Sequence, residues 1–222
     1  MIPKMLLSGV VELVVFGLMV FLPAGTPAYW QGWVFLAVVF ALATFVPGIY
    51  LLRNPVVLQR RMSGGPSAEG RTAQKVVIAG LYASLAGMVV LSGFDHRFGW
   101  SSVPTAVCLV GDVLVALGLG VVTLVVVQNN HAAATVRVEA GQQVVSTGLY
   151  GLVRHPMYTG NVIMMVGIPL ALGSYWGLVF VGPGLVVLAS RIRDEEKLLA
   201  EELTGYREYT QKVRYRLVPC MW

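Results

Sequence analysis

Long apolar stretches dominate the pattern of hydrophobic and polar positions in this chain. Four of them are close to the ~20 apolar residues that a membrane-spanning helix needs. They cover Met5–Leu22, Trp30–Leu52, Val76–Phe94 and Val103–Val127. The pattern therefore predicts four transmembrane helices within residues 1–127.

Two shorter apolar stretches, Met157–Leu172 and Trp176–Ser190, follow the polar segment Gln128–Arg154. At 1.5 Å per residue each stretch reaches about 24 Å, which is less than a ~30 Å hydrocarbon core. Two structures fit this pattern: a pair of short kinked spans, or a re-entrant helical hairpin over residues 157–190. In both, the chain returns to the side that it left. We expect an all-α polytopic membrane protein with five to six transmembrane helices and a C-terminal helical hairpin.

The composition supports a membrane protein. Hydrophobic residues make up 56% of the chain and charged residues 12%, against about 45–50% and about 25% in soluble domains. The N-terminal apolar run resembles a signal peptide, but Glu12 interrupts it and further spans follow, so we expect an uncleaved first helix. We predict a single membrane domain over residues 1–222, in which residues 128–222 contain the functional site and end in a cytoplasmic helix.

The basic residues predict the orientation. With the N-terminus in the cytoplasm, all of the 16 lysines and arginines except Arg97 fall on the cytoplasmic side, as the positive-inside rule requires. Both termini and the two polar segments described below are then cytoplasmic. The basic residues are not interleaved with aromatic ones on one face, which argues against nucleic-acid binding. The compact chain, rich in valine, alanine and glycine, favours a bacterial or archaeal cell membrane.

The two cysteines, Cys108 and Cys220, stand alone. They form no CxxC pair and no metal-ligand spacing. We therefore expect neither a disulfide framework nor a bound metal.

The first polar segment, Gly148–Gly160, reads GLYGLVRHPMYTG. Pro156 biases His155 away from helical geometry and begins a helix. Such a start is expected to leave backbone amides near His155 and Tyr158 unpaired, where an anionic group can bind. The alternative is that Arg154 and His155 only anchor the helix at the interface.

The second polar segment, RIRDEEKLL, directly follows the last apolar stretch. Arg191 and Glu195 are four residues apart and share one face of a continuing helix. A carboxylate here can accept hydrogen bonds from ribose hydroxyls, and an arginine can hold a substrate carboxylate. The alternative is an ordinary ion pair on a solvated helix.

Other polar residues lie in or beside the predicted spans. Glu12 and Asp112 fall within spans, where ionisable groups are costly and mark function or pairing. Asn129, Asn130 and His131 lie where the fourth span meets the cytoplasm. For these three, contact with a ligand and simple helix capping both remain open.

The order of these motifs resembles the integral-membrane methyltransferases, which include isoprenylcysteine carboxyl methyltransferases and phospholipid methyltransferases. The matching stretches are GQQVVSTGLYGLVRHPMYTG, RIRDEEKLL, YREY and VRYRLVP, between Gly141 and Pro219. The resemblance implies a cytoplasmic site for S-adenosyl-L-methionine. It assigns to this site Gln142, Gln143, Val144, Val145, Tyr150, His155, Pro156, Met157, Tyr158 and Glu195. It assigns to Arg191 the positioning of the methyl acceptor, and it gives Glu196 no role.

The resemblance implies a lipophilic acceptor that enters sideways from the bilayer. Methyl transfer requires alignment and exclusion of water. A carboxylate acceptor needs no general base, and the absence of an obvious base favours an isoprenylcysteine-like carboxylate. Two alternatives stay open: a phospholipid N-methyltransferase, and an NADPH-dependent reductase of the membrane sterol type, which has a similar RHPxY box. Glu195 and Glu196 lie where the phosphate of NADPH would favour positive charge, and this argues against the reductase.

Overall fold

The computed structural model describes residues 2–53, 72–129, 143–219 and 221–222. All regular structure within these residues is helical. The α-helices are α1 (Ile2–Ala24), α2 (Trp30–Val39), α3 (Val46–Arg53), α4 (Thr72–Phe98), α5 (Thr105–Gln128), α6 (Pro156–Ala171), α7 (Val181–Glu202) and α8 (Tyr206–Lys212). A π-helical turn (Phe40–Phe45) joins α2 to α3, and 3₁₀ turns occur at Gly148–Gly151 and Trp176–Phe180.

Four helical stretches in the described residues are long and apolar enough to cross a membrane. They are Trp30–Tyr50, Gln74–Phe98, Thr105–Gln128 and Trp176–Glu202. The predicted first span forms α1, whose described apolar part, Gly9–Ala24, is shorter than these four stretches. Helix α6, with 16 residues, is also shorter than they are. These helices confirm the prediction of an all-α polytopic membrane protein. The last span is longer than predicted, because its helix continues through the charged residues to Glu202.

Three turns meet at one end of the bundle, which we call the loop end. They lie at residues 25–29, 99–104 and 172–175. The Trp100 and Trp176 rings are 6.4 Å apart there, and the Tyr29 hydroxyl donates to the Leu172 carbonyl. Proline and left-handed glycine account for the turns: Pro104 precedes α5, and Gly99 has φ = 65°. Only a residue without a Cβ adopts that φ readily.

A buried carboxylate holds the loop end together. Asp95 is 1% exposed and accepts hydrogen bonds from the Ser101 amide at 2.6 Å and the Ser101 hydroxyl at 2.7 Å. The Ser174 hydroxyl also donates to Asp95. Because a buried charge is costly unless it is hydrogen-bonded, these contacts fix the α4–α5 turn against the α6–α7 turn.

Glycines let α5 and α6 pack backbone to backbone, in the most extensive helix contact of the described residues. A Cβ added to Gly111 would lie 2.1 Å from the Ala171 nitrogen, and one added to Gly118 would lie 2.6 Å from the Gly160 carbonyl oxygen. Small residues at such contacts are typical of membrane helices. The contact fixes α6, and the first turn of α6 carries the RHPMY motif.

We expect Gly111→Ala to destabilise the protein by about 2–3 kcal/mol, because the new methyl group meets backbone atoms that cannot move aside. Gly120→Ala on the same helix is the control, since a Cβ there has open space around it. Thermal unfolding in detergent measures both variants. Equal melting temperatures for the two would contradict the described packing.

Candidate functional site

The start of α6 lies against the C-terminal segment. The Arg154 amide donates to the Tyr215 carbonyl and the His155 amide to the Arg216 carbonyl, each at 2.9 Å. One turn into α6, the Thr159 hydroxyl donates to the Leu217 carbonyl at 2.7 Å. These bonds seat residues 215–217 on the RHPMY motif. We call this end of the bundle, opposite the loop end, the polar end.

This arrangement corrects one prediction from the sequence. Pro156 does begin α6, as predicted, but the amides expected to be unpaired are occupied. The His155 amide donates to Arg216, and the Tyr158 amide donates to the His155 carbonyl at 3.0 Å. These two amides therefore donate to protein carbonyls and are not open to an anion. The pattern of residues 148–160 could not show this, because the partner comes from the C-terminal segment.

The Tyr158 hydroxyl links the two polar segments. It accepts a hydrogen bond from Arg191 Nε at 2.8 Å and donates to Glu195 Oε2 at 2.6 Å. Arg191 and Glu195 lie on one face of the continuous helix α7, as predicted. Arg191 is only 4% exposed, so it does not lie on a solvated helix face but is a buried cation held by named partners.

Gln74 was missed by the sequence reasoning. Its Oε1 accepts from Arg191 Nη1 at 2.8 Å, and its Nε2 donates to Asp194. It is fully buried near the start of α4. The predicted third span began at Val76 and so left Gln74 in a loop. The sequence did contain a signal: Gln74 lies two residues before an apolar stretch, and its amide needs a hydrogen-bond partner if the helix buries it.

Three basic side chains contact the carboxylate of Glu196. Arg154 Nη1 lies 2.9 Å from Glu196 Oε1, His155 Nε2 lies 3.3 Å from the same oxygen, and Arg216 Nε lies 2.8 Å from Oε2. We call these four residues the Glu196 clasp. The carboxylate side chain is 12% exposed. Glu196, which had no assigned role, thus ties α7 to the RHPMY motif and the C-terminal segment.

Two further tyrosines lie near Glu195. Burial raises the pKa of Tyr150 and of Tyr206, and the Glu195 charge adds to both shifts. Their hydroxyls are thus protonated donors at neutral pH. Asn129 Nδ2 donates to the Tyr150 hydroxyl at 3.1 Å, and the Tyr209 hydroxyl donates to the Tyr150 carbonyl at 2.7 Å. The Tyr206 hydroxyl is buried and has no hydrogen-bond partner within the described part of the chain.

The segment before the first motif is only partly described. Residues 143–146 have no regular secondary structure, and Val144 packs against Tyr206 and its apolar neighbours at the start of α8. Val145 is half-buried and Gln143 is exposed. Gln142, Asn130 and His131 lie outside the described residues.

A cavity of about 340 Å³ lies between α4 and α6, beside Arg191. Its wall is mostly apolar. The lining residues are Ile78, Leu81, Tyr82, Leu85, Met88, Met157, Tyr158, Asn161, Met164, Met165, Ile168 and Arg191. Met157, Tyr158 and Arg191 belong both to this cavity and to the residue set predicted from the sequence.

The remaining candidates lie apart from this cluster. Glu12 accepts a hydrogen bond from the Thr44 hydroxyl at 2.9 Å, which ties α1 to the π-helical turn. Asp112 is buried on α5 and its carboxylate has no hydrogen-bond partner among the described residues. Those same residues contain no group of three His, Cys, Asp or Glu side chains that could hold a metal.

Part of the chain resembles a known enzyme family. Residues 107–204 match the family model for phospholipid methyltransferases. This match confirms the resemblance to integral-membrane methyltransferases over a segment that contains His155, Tyr158, Arg191 and Glu195.

A second comparison points to a reductase. The chain is 31% identical over 91 residues to the Delta(14)-sterol reductase TM7SF2 of Mus musculus. That alignment covers 40% of this chain and 22% of the reductase. The chain thus spans about a fifth of the length of this curated relative.

We expect Glu196→Gln to destabilise the polar end by about 2–3 kcal/mol, since three basic side chains would then face one another without the carboxylate. Limited trypsin digestion should cleave this variant faster after Arg214, because the C-terminal segment loses its ion pairs. Glu202→Gln, at an exposed position on the same helix, is the control. Identical digestion rates for the two variants would show that the Glu196 clasp does not hold the segment.

Proposed function

We propose that this protein is an S-adenosyl-L-methionine-dependent methyltransferase whose acceptor is a lipophilic carboxylate drawn from the bilayer. One observation carries the proposal: an apolar cavity at membrane depth adjoins a buried arginine that is hydrogen-bonded, through Tyr158, to Glu195. The match to a methyltransferase family over residues 107–204 supports the reaction type.

The polar end has groups that fit S-adenosyl-L-methionine. Glu195 offers a carboxylate to ribose hydroxyls, and Tyr150, Tyr158 and Tyr206 give an aromatic surround that favours a sulfonium. Two buried polar atoms, Tyr206 Oη and Arg154 Nε, have no hydrogen-bond partner in the described ranges. Because buried polar atoms are nearly always paired, a polar ligand at this place would satisfy them. When bound, the cofactor supplies the methyl group.

The depth of Arg191 supports an acceptor that stays in the membrane. Helix α6 has 16 residues, so it rises about 24 Å from the loop end, which is less than a ~30 Å hydrocarbon core. The RHPMY motif and Arg191 therefore lie near or below the boundary of the hydrocarbon. An ionisable residue at such depth faces a cavity or a partner and marks a functional site.

The charge on the cavity wall favours a carboxylate. Tyr158 and Gln74 fix the guanidinium of Arg191, so an acceptor carboxylate in the cavity meets an oriented cation. A carboxylate is already ionised at neutral pH, so its oxygen can attack the methyl group without a general base. The amine of a phospholipid would be repelled by Arg191 when protonated and would need a base, which makes an N-methyltransferase the weaker alternative.

The sterol reductase match favours NADPH as a second candidate cofactor. The charges of the site argue against it. The phosphates of NADPH would lie near Glu195 and Glu196, and Arg154 and Arg216 are already bonded to Glu196. The Glu196 carboxylate neutralises part of the positive charge that these cations would offer to a phosphate.

Calorimetric titration of the detergent-held protein with S-adenosylhomocysteine and with NADPH separates the two cofactors. We expect saturable binding of S-adenosylhomocysteine alone, weakened at least about tenfold in Glu195→Gln because a charge-assisted hydrogen bond to ribose is lost. Glu202→Gln should bind like the unaltered protein. Binding of NADPH alone would establish the reductase, and unchanged affinity in Glu195→Gln would remove Glu195 from the site.

We expect Arg191→Lys to raise KM for a carboxylate acceptor by about tenfold or more, because lysine keeps the charge but loses the planar fork of donors. The affinity for S-adenosylhomocysteine should stay unchanged, since Arg191 faces the acceptor cavity. Arg193→Lys, at an exposed position two residues away, is the control. A loss of cofactor affinity with unchanged KM would place Arg191 on the cofactor side instead.

A further inference from the structure

The acceptor cavity follows α4 and α6. Its lining on α4 runs from Ile78 to Met88, ten residues that span about 15 Å. The cavity is therefore long enough to hold an apolar lipid chain along these helices.

An amide side chain interrupts the wall beyond the arginine end. Asn161 lies on α6 three residues after Tyr158, about 4.5 Å further along the helix axis, and it lines the cavity. Tyr158 and Arg191 are bonded to each other. The described residues offer the Asn161 amide no hydrogen-bond partner.

An unpaired amide on an apolar wall discriminates between acceptors. A plain hydrocarbon chain that passes Asn161 takes water away from the amide and returns no hydrogen bond, which is unfavourable. A chain with a hydrogen-bonding group at that height restores the bond. Asn161 and Arg191 line the same cavity, so such a group can bind Asn161 while its carboxylate binds Arg191.

We propose that Asn161 is a specificity-determining residue, and that the acceptor is a lipid with an amide or similar hydrogen-bonding group close to its carboxylate. The inference rests on the proposed function, because Arg191 must hold the carboxylate for Asn161 to face the rest of the acceptor. N-acylated amino acids have this arrangement, and simple fatty acids lack it.

The apolar part of the cavity adds little selectivity. Met88, Met157, Met164 and Met165 line it, and methionine side chains adapt to chains of different shape. Selection among acceptors thus depends on the polar groups at Arg191 and Asn161, and much less on the form of the chain.

Displacement of a fluorescent fatty acid from the detergent-held protein tests the proposal with two acids of equal length, N-lauroylglycine and pentadecanoic acid. We expect the unaltered protein to bind N-lauroylglycine about tenfold more tightly, the effect of one satisfied hydrogen bond. Asn161→Leu should abolish this preference while binding pentadecanoic acid equally or better. Asn161→Ala, which removes the amide without adding volume, should do the same.

Met164→Leu is the matched control in the same wall and should keep the preference. The proposal is wrong if the unaltered protein shows no preference, or if Asn161→Leu retains it.

Titration of the same preparations with S-adenosylhomocysteine tests the methyltransferase assignment separately from the acceptor selectivity of Asn161. Cofactor binding without displacement by either acid would overturn the acceptor and leave the cofactor assignment intact. Selective displacement without cofactor binding would overturn the methyltransferase and leave the selectivity of Asn161 intact.

Discussion

Charges removed from water determine how the polar end of this protein is built. An ionised group in a low-dielectric region is costly unless partners surround it. Arg191 meets this requirement through Tyr158 and Gln74, and Glu196 meets it through Arg154, His155 and Arg216. These partners come from four separate parts of the chain. Pairing of buried charges therefore brings α4, α6, α7 and the C-terminal segment to one place.

The sequence predicts the helices well because the membrane imposes their length and apolar character. The placement of Arg191 and Glu195 on one helical face also follows from their spacing. Contacts between distant segments cannot be predicted in this way. Nothing in the spacing of the residues showed that the Arg216 carbonyl accepts a hydrogen bond from the His155 amide, or that Gln74 accepts one from Arg191. Both contacts depend on how whole helices pack, and the α5–α6 glycines fix only the position of α6.

The two sides of the proposed reaction meet at Tyr158. Its hydroxyl touches Arg191 on the side of the apolar cavity and Glu195 on the side of the tyrosine-rich polar end. A water-soluble cofactor and a membrane-resident acceptor would thus approach one point from opposite directions. The short helix α6 keeps this point close to the hydrocarbon, where water is scarce and alignment of the two reactants becomes the main requirement.

Methyl transfer to a carboxylate can be measured directly. Membranes that contain the protein are incubated with S-adenosyl-L-methionine labelled with tritium in its methyl group, and the extracted lipids are treated with mild alkali. A methyl ester releases its label as volatile methanol, whereas an N-methylated lipid keeps it. We expect protein-dependent label that becomes volatile and that is reduced by Arg191→Lys. Label that resists alkali, or no protein-dependent label with NADPH-dependent reduction instead, would contradict the account.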